Sequence, residues 1–121
     1  MKQVLIVDDS EQIRERIVAL LAESPQICIA GEAGDGLEAF EAVRKTHPDT
    51  VILDIRLPGQ NGMALLKAFK SLYPQMAVIM LTNLDDDRYR RQCLRLGADH
   101  FLSKSMDFDK IVGVILGETS T

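Results

Sequence analysis

The sequence has no tryptophan, only two cysteines and four prolines, and no long apolar run. Each shortage removes a class of protein. Cys28 and Cys93 lie far apart, and neither has a CxxC neighbour or a nearby pair of histidines. That excludes a disulfide framework and a thiolate metal site, and leaves both as reduced thiols in or near the core. No stretch approaches the roughly 18 apolar residues of a membrane span. The opening MKQVLIVDD sets two aspartates directly after its apolar residues, which is too short for the apolar segment of a secretory signal. The expectation is a cytoplasmic protein with no membrane partner. A basic excess is also lacking, since 14 Lys and Arg against 18 Asp and Glu give a net charge of −4. Such a balance argues against direct nucleic-acid binding through a broad basic surface. What is present, 46% hydrophobic and 26% charged residues over 121 positions, suits one globular domain able to bury an adequate core.

Short apolar runs alternate with amphipathic stretches along the whole chain. Val4-Leu5-Ile6-Val7 is rich in β-branched residues, as a strand buried on both faces requires. Ile13, Ile17, Leu20 and Leu21 then mark one face of a helix starting near Ser10, which Pro25 closes. Ile27 to Ala30 is a second strand, and Asp35 caps a helix with Leu37, Phe40 and Val43 inward, ending before His47-Pro48. Val51 to Leu53 is a third strand, followed by a helix lined by Leu65, Leu66, Phe69 and Leu72. Val78 to Leu81 is a fourth, followed by a helix over about Asp86 to Leu96 that stops at Gly97. Phe101-Leu102 is the fifth, and Asp107 caps a last helix with Ile111, Val112, Ile115 and Leu116 inward. This strict alternation predicts an α/β fold, a (βα)5 doubly wound parallel sheet with right-handed crossovers. One domain over residues 1–121 is expected, with no output domain after the short polar tail from Gly117 to Thr121.

In such a sheet the functional crevice lies at the carboxyl ends of the strands. The residues leaving those ends are Asp8 and Asp9 after strand 1, Asp54 after strand 3, Thr82 after strand 4, and Ser103-Lys104 after strand 5. Taken singly, each has a bland reading, because a strand-end aspartate is most often a helix cap. Taken together, they place three carboxylates, a hydroxyl and an ammonium on one edge. Two carboxylates about 5 Å apart repel by roughly 3 kcal/mol at an effective dielectric of about 20. Three therefore call for a cation, and hard oxygen ligands suit Mg²⁺, which often shares its site with phosphate. With Lys104 and Thr82 ready for an anionic oxygen, one aspartate is left over as a nucleophile able to form an acyl phosphate.

The stretches VLIVDDS, VILDIRLPGQNG, MLTN and GADHFLSKS resemble the receiver domains of two-component response regulators over essentially the whole chain. The resemblance implies the strand order 2-1-3-4-5. It also implies a phosphoacceptor at Asp54 that is charged by a sensor histidine kinase or phosphotransfer protein. It assigns Mg²⁺ to Asp9, Asp54 and the backbone carbonyl of Arg56, with Asp8 helping through water. Thr82 and Lys104 would contact the phosphoryl oxygens, and Phe101 would be the aromatic switch residue coupled to Thr82. Pro58 and Gly62 would shape the loop after Asp54. Such a domain catalyses only its own phosphorylation and dephosphorylation, and is not otherwise an enzyme.

Some positions depart from the family's commonest pattern. Ser105 replaces the usual proline after the lysine, Asn83 replaces a small residue after Thr82, and Arg56 and Leu84 occupy positions that influence phosphoryl lifetime. A trans Lys104–Ser105 bond is expected, because a cis bond before a non-proline residue costs about 3–4 kcal/mol. Two other readings stand beside this one. A flavodoxin-like cofactor binder needs a Ser/Thr/Gly-rich loop after strand 1, where this chain has Asp8-Asp9-Ser10-Glu11. A pseudo-receiver, an interaction module indifferent to phosphate, usually lacks the acceptor, an acid or the lysine, and all are present here. Finally, Arg88, Arg91 and Arg95 share a face of the fourth helix, behind Asp85-Asp86-Asp87. That face is the expected surface for an acidic output partner or a second copy of the chain, bound more tightly after phosphorylation.

Overall fold

The computed structural model describes residues 1–83 and 86–117. Leu84, Asp85 and residues 118–121, on which some expectations rest, lie outside the described residues. The apolar runs form five strands, β1 (Lys2–Val7), β2 (Ile27–Ala33), β3 (Thr50–Leu53), β4 (Ala77–Thr82) and β5 (His100–Ser103). All neighbours are parallel, in the order β2-β1-β3-β4-β5. Between them run α1 (Glu11–Leu21), α2 (Gly36–Thr46), α3 (Gly62–Leu72), α4 (Asp87–Arg95) and α5 (Ile111–Leu116), the last entered through a single 3-10 turn, Phe108–Lys110. β2 is longer than its apolar run, because a register shift opposite Val4 and Leu5 lets it follow β1 to Ala33.

Side chains of a strand alternate between faces, and here both faces are covered. Val4 and Ile6 of β1 join Ile17 and Leu21 of α1 and Ile111, Val114 and Ile115 of α5 in one cluster. Leu5 and Val7 join Val43 of α2, Leu65, Leu66 and Phe69 of α3 and Cys93 of α4 in the other. The three α3 side chains are fully buried, each stabilising the fold by about 1.5–3 kcal/mol relative to exposure. Phe69 also meets the Phe40 ring edge-on at a centroid distance of 5.0 Å. No helix among the described residues is long and apolar enough to cross a membrane.

Three expectations of the sequence reading are corrected. Leu37 is 75% exposed, because the buried stripe of α2 runs through Gly36, Ala39 and Val43, which lie roughly 100–160° round the helix from it. Leu72 is 62% exposed although it keeps the right spacing. It is the last residue of α3, and Tyr73 packs against the core in its place. Asp107 makes no side-chain cap. Its carboxylate turns back and accepts the Ser103 N–H at 2.9 Å. The 3-10 turn that follows rephases the last helix, so Val114 is buried with Ile111 and Ile115, while Val112 and Leu116 lie at the margin of the cluster.

Candidate functional site

Strand order reverses between β1 and β3, so the segments leaving these neighbouring strands diverge and open a crevice at their carboxyl ends. The ladder continues one residue past each strand end. The Asp54 N–H donates to the Val7 carbonyl at 3.2 Å, and the Asp8 N–H to the Ala33 carbonyl at 3.0 Å. These bonds hold the two carboxylates side by side, Asp8 only 2% and Asp54 only 5% exposed. Thr82, the last residue of β4, is 1% exposed, and its carbonyl accepts the Lys104 N–H at 3.0 Å. Lys104 thereby reaches across the crevice, with Nζ 2.6 Å from Asp8 Oδ2 and 2.8 Å from Asp54 Oδ2. Asp9 is exposed at the rim, and one oxygen from each of Asp8, Asp9 and Asp54 lies within 4.8 Å of the others.

The electrostatics follow from burial. Loss of water pushes the Asp8 carboxyl above its ordinary range, only partly offset by the hydrogen bonds from Lys104 and Ser10. Burial alone would lower Lys104, but its hydrogen bonds to Asp54 and Asp8 outweigh that and hold the ammonium above its usual range. One ammonium among three carboxylates leaves the site negative. Asp54 Oδ1 is moreover buried without a hydrogen-bond partner among the described residues, and a charged acceptor left that way is costly. An orphaned oxygen, two neighbouring carboxylates and a solvent-facing Asp9 together fit a hard divalent cation such as Mg²⁺.

The other expected residues gather around this centre. Arg56 is exposed and, with Asp9, Pro58 and Tyr89, borders an open depression beside the carboxylates. Asn83 is exposed next to Thr82. Phe101 is buried in the core, with the Arg90 guanidinium 5.0 Å over its ring. Arg88, Arg91 and Arg95 are exposed along α4, Arg88 also lying 3.5 Å from Asp86. The Lys104–Ser105 bond is trans, like every peptide bond among the described residues. The Ser105 N–H donates to Ser103 Oγ at 3.3 Å, and the Asp107 N–H donates to the Ser103 carbonyl at 2.9 Å. Proline could not supply the first of these bonds.

Two features escaped the sequence reading. Arg14 of α1 donates from Nη1 to the Asp8 carbonyl at 2.6 Å and from Nε to Glu32 at 3.0 Å. Its position one step past Ile13 in the inward stripe was the available signal. The role of Gly62 is also more severe than loop shaping. A Cβ there would sit 1.9 Å from the Asp54 carbonyl oxygen and 2.7 Å from Ile55 Cα. The α3 start thus rests directly on the backbone that carries Asp54.

Residues 4–116 match the family model for the response regulator receiver domain. The chain belongs to this family. The receiver is 33% identical over 113 residues to the transcriptional regulatory protein DegU of Brevibacillus brevis, covering 93% of this chain and 48% of that protein. It is 36% identical over 115 residues to the protein CcdB of Bacillus subtilis, covering 95% of each. Among solved structures, it superposes on the signal receiver domain of the putative response regulator NarL from Mycobacterium tuberculosis with a TM-score of 0.89 at 32% identity, covering 96% of this chain and 94% of that one. The receiver spans about half the length of the first curated relatives it matches.

Proposed function

We propose that this receiver, one domain over residues 1–121, accepts a phosphoryl group on Asp54 from the phosphohistidine of a sensor kinase or phosphotransfer protein. The observation that supports this reading is Asp54 Oδ1, a buried carboxylate oxygen with no partner among the described residues, beside two further carboxylates. In the transfer, an Asp54 oxygen attacks phosphorus, the phosphorus–nitrogen bond breaks, and its electron pair leaves with the donor imidazole. Asp54 becomes an acyl phosphate. Asp8, Asp9, Asp54 and the Arg56 carbonyl are the candidates to hold Mg²⁺, which supplies charge neutralisation between the carboxylates and the incoming phosphoryl oxygens. Lys104, already on Asp54 Oδ2, would bond one phosphoryl oxygen, and the Thr82 hydroxyl would donate to another. The receiver would thus catalyse only its own phosphorylation and dephosphorylation. A cytoplasmic location follows from this reading, since the donor kinase and two reduced cysteines belong there.

The output would run through β4 and β5. Drawing Thr82 towards the phosphoryl group frees space into which Phe101 can turn, remodelling the face formed by α4 and β5. The exposed Arg88, Arg91 and Arg95 suit an acidic partner surface or a second copy of the chain. A ligand shifts such a switch only through different affinities for its two states.

The test is labelling with acetyl phosphate or a phosphorylated kinase, followed by mapping of the adduct by mass spectrometry. One phosphoryl group on Asp54 is expected, lost in Asp54→Asn and in excess chelator. Undiminished labelling in either case would overturn the proposal. No labelling of the folded wild type by any donor would favour a phosphate-indifferent interaction module.

A further inference from the structure

Arg14 takes no part in the proposed transfer, yet it is tied directly to the acidic pair. It lies in the first turns of α1, behind the Ser10 cap, and its side chain is only 18% exposed. One arm of its guanidinium donates to the Asp8 carbonyl at 2.6 Å, and the chain nitrogen donates to Glu32 on β2 at 3.0 Å. A planar fork can hold two acceptors in one fixed geometry, which a rotating ammonium cannot.

The two bonds control a peptide plane. The Asp8 N–H is fixed on Ala33, and its carboxylate is shared between the Ser10 N–H and Lys104. Its carbonyl is the remaining polar group, and that carbonyl lies in one rigid plane with the Asp9 nitrogen. Arg14 therefore sets the direction in which the chain enters Asp9. Asp9 is the exposed member of the three-carboxylate group, so core packing does not orient it. Asp8 and Asp54, by contrast, are held by burial and by Lys104.

We propose that Arg14, locked in place by Glu32, is a positioning residue that fixes the Asp8–Asp9 peptide and thereby sets the affinity of the site for a divalent cation. This rests on the reading that the three carboxylates hold Mg²⁺. Partners that orient metal ligands are typically worth about 10–100-fold in metal affinity.

The test measures Mn²⁺ binding to the full chain from the free-ion electron paramagnetic resonance signal, with Mg²⁺ as competitor and melting temperature as a control for folding. Arg14→Ala is expected to raise the Mn²⁺ Kd about 10-fold or more, and Glu32→Gln about 3-fold. Arg14→Lys, which can still reach the carbonyl, is expected to recover part of the loss. Half-saturating Mg²⁺ for labelling by acetyl phosphate should rise in parallel, and added Mg²⁺ should restore labelling. A Kd within about two-fold of wild type in folded Arg14→Ala, or an effect confined to the rate at saturating Mg²⁺, overturns the proposal. If Arg14→Ala does not fold, unchanged affinity in both Arg14→Lys and Glu32→Gln overturns it equally. Wild type that binds no Mn²⁺ would instead sink the metal reading on which the proposal rests.

Discussion

Aspartates stand at both ends of the sheet, and the two ends treat them in opposite ways. At the amino ends of the strands, Asp49 accepts the Gln3 N–H at 2.7 Å, and Asp99 accepts the Val78 N–H at 2.8 Å while pairing with Lys70 at 3.1 Å. These carboxylates complete the ladder where a strand N–H lacks a backbone acceptor. At the carboxyl ends of β1 and β4 the last carbonyls are taken by backbone N–H groups, Val7 by Asp54 and Thr82 by Lys104. Asp8 and Asp54 are instead buried against one ammonium, with Asp54 Oδ1 lacking a partner among the described residues. The amino end spends its acids on stability, and the carboxyl end keeps strain of a kind tolerated at functional sites. The lysines differ likewise. Lys70 also donates to the carbonyls of Met76 and Pro74, whereas Lys104 serves the carboxylates.

The largest effect expected from this contrast comes from Gly62→Ala. The added methyl cannot coexist with the Asp54 carbonyl, and overpacking of that kind should cost more than about 3 kcal/mol in urea denaturation. A stable variant with unchanged labelling would show that the α3 start can shift without disturbing the acceptor.

Next come the two lysines. Lys104→Met leaves buried carboxylates without their cation and should destabilise the metal-free protein by about 3 kcal/mol. Millimolar Mg²⁺ should restore part of that loss. Lys70→Met should lose stability that Mg²⁺ does not return. Equal rescue of both variants, or of neither, would erase the distinction between the two ends.

Neutralising one acid at each end should then give opposite signs. Asp54→Asn relieves crowding around Lys104 and should stabilise the metal-free protein by about 1 kcal/mol. Asp99→Asn weakens a charge-assisted bond and an ion pair, and should destabilise by about 1 kcal/mol. Thermal melts without divalent ions read both, and a shared sign would refute the comparison.

Asp107 sharpens it through pH, because at the carboxyl end it alone among these acids caps a strand-end N–H. Its bond from Ser103 holds the carboxyl below its ordinary range. A depressed carboxyl contributes stability above its unfolded pKa and loses it as pH falls through the folded one. Asp107→Asn should therefore be less stable than wild type at neutral pH, with the gap closing in acid. For Asp8, which burial raises, the sign reverses, and its protonation in mild acid should favour the fold. The smallest effect is expected at Leu37. Leu37→Gln should change stability by less than about 0.5 kcal/mol, as at other exposed sites.

Much of this could be read along the chain. Runs such as Val4 to Val7 and Val78 to Leu81 declare buried strands, because β-branched residues without alternation suit a sheet covered on both faces. Once parallel alternation is accepted, topology sends Asp8, Asp54, Thr82 and Lys104 to one edge, so their convergence is legible in the sequence. Helix faces were less secure. The spacing of Leu37 and Leu72 is compatible with burial, but spacing cannot say where a stripe is centred or where a helix outruns its core.

By itself, then, the sequence determined the order of elements, the parallel sheet and the edge on which its chemistry gathers, since hydrophobic period and strand-end identity are local properties. Only the tertiary structure decided which oxygen of Asp54 Lys104 takes, that Arg14 grips the Asp8 carbonyl, that Gly62 lies against the Asp54 backbone, and that Asp107 turns back to Ser103. Each of these depends on distances between segments that become neighbours only once the core has packed, and no local pattern encodes such distances.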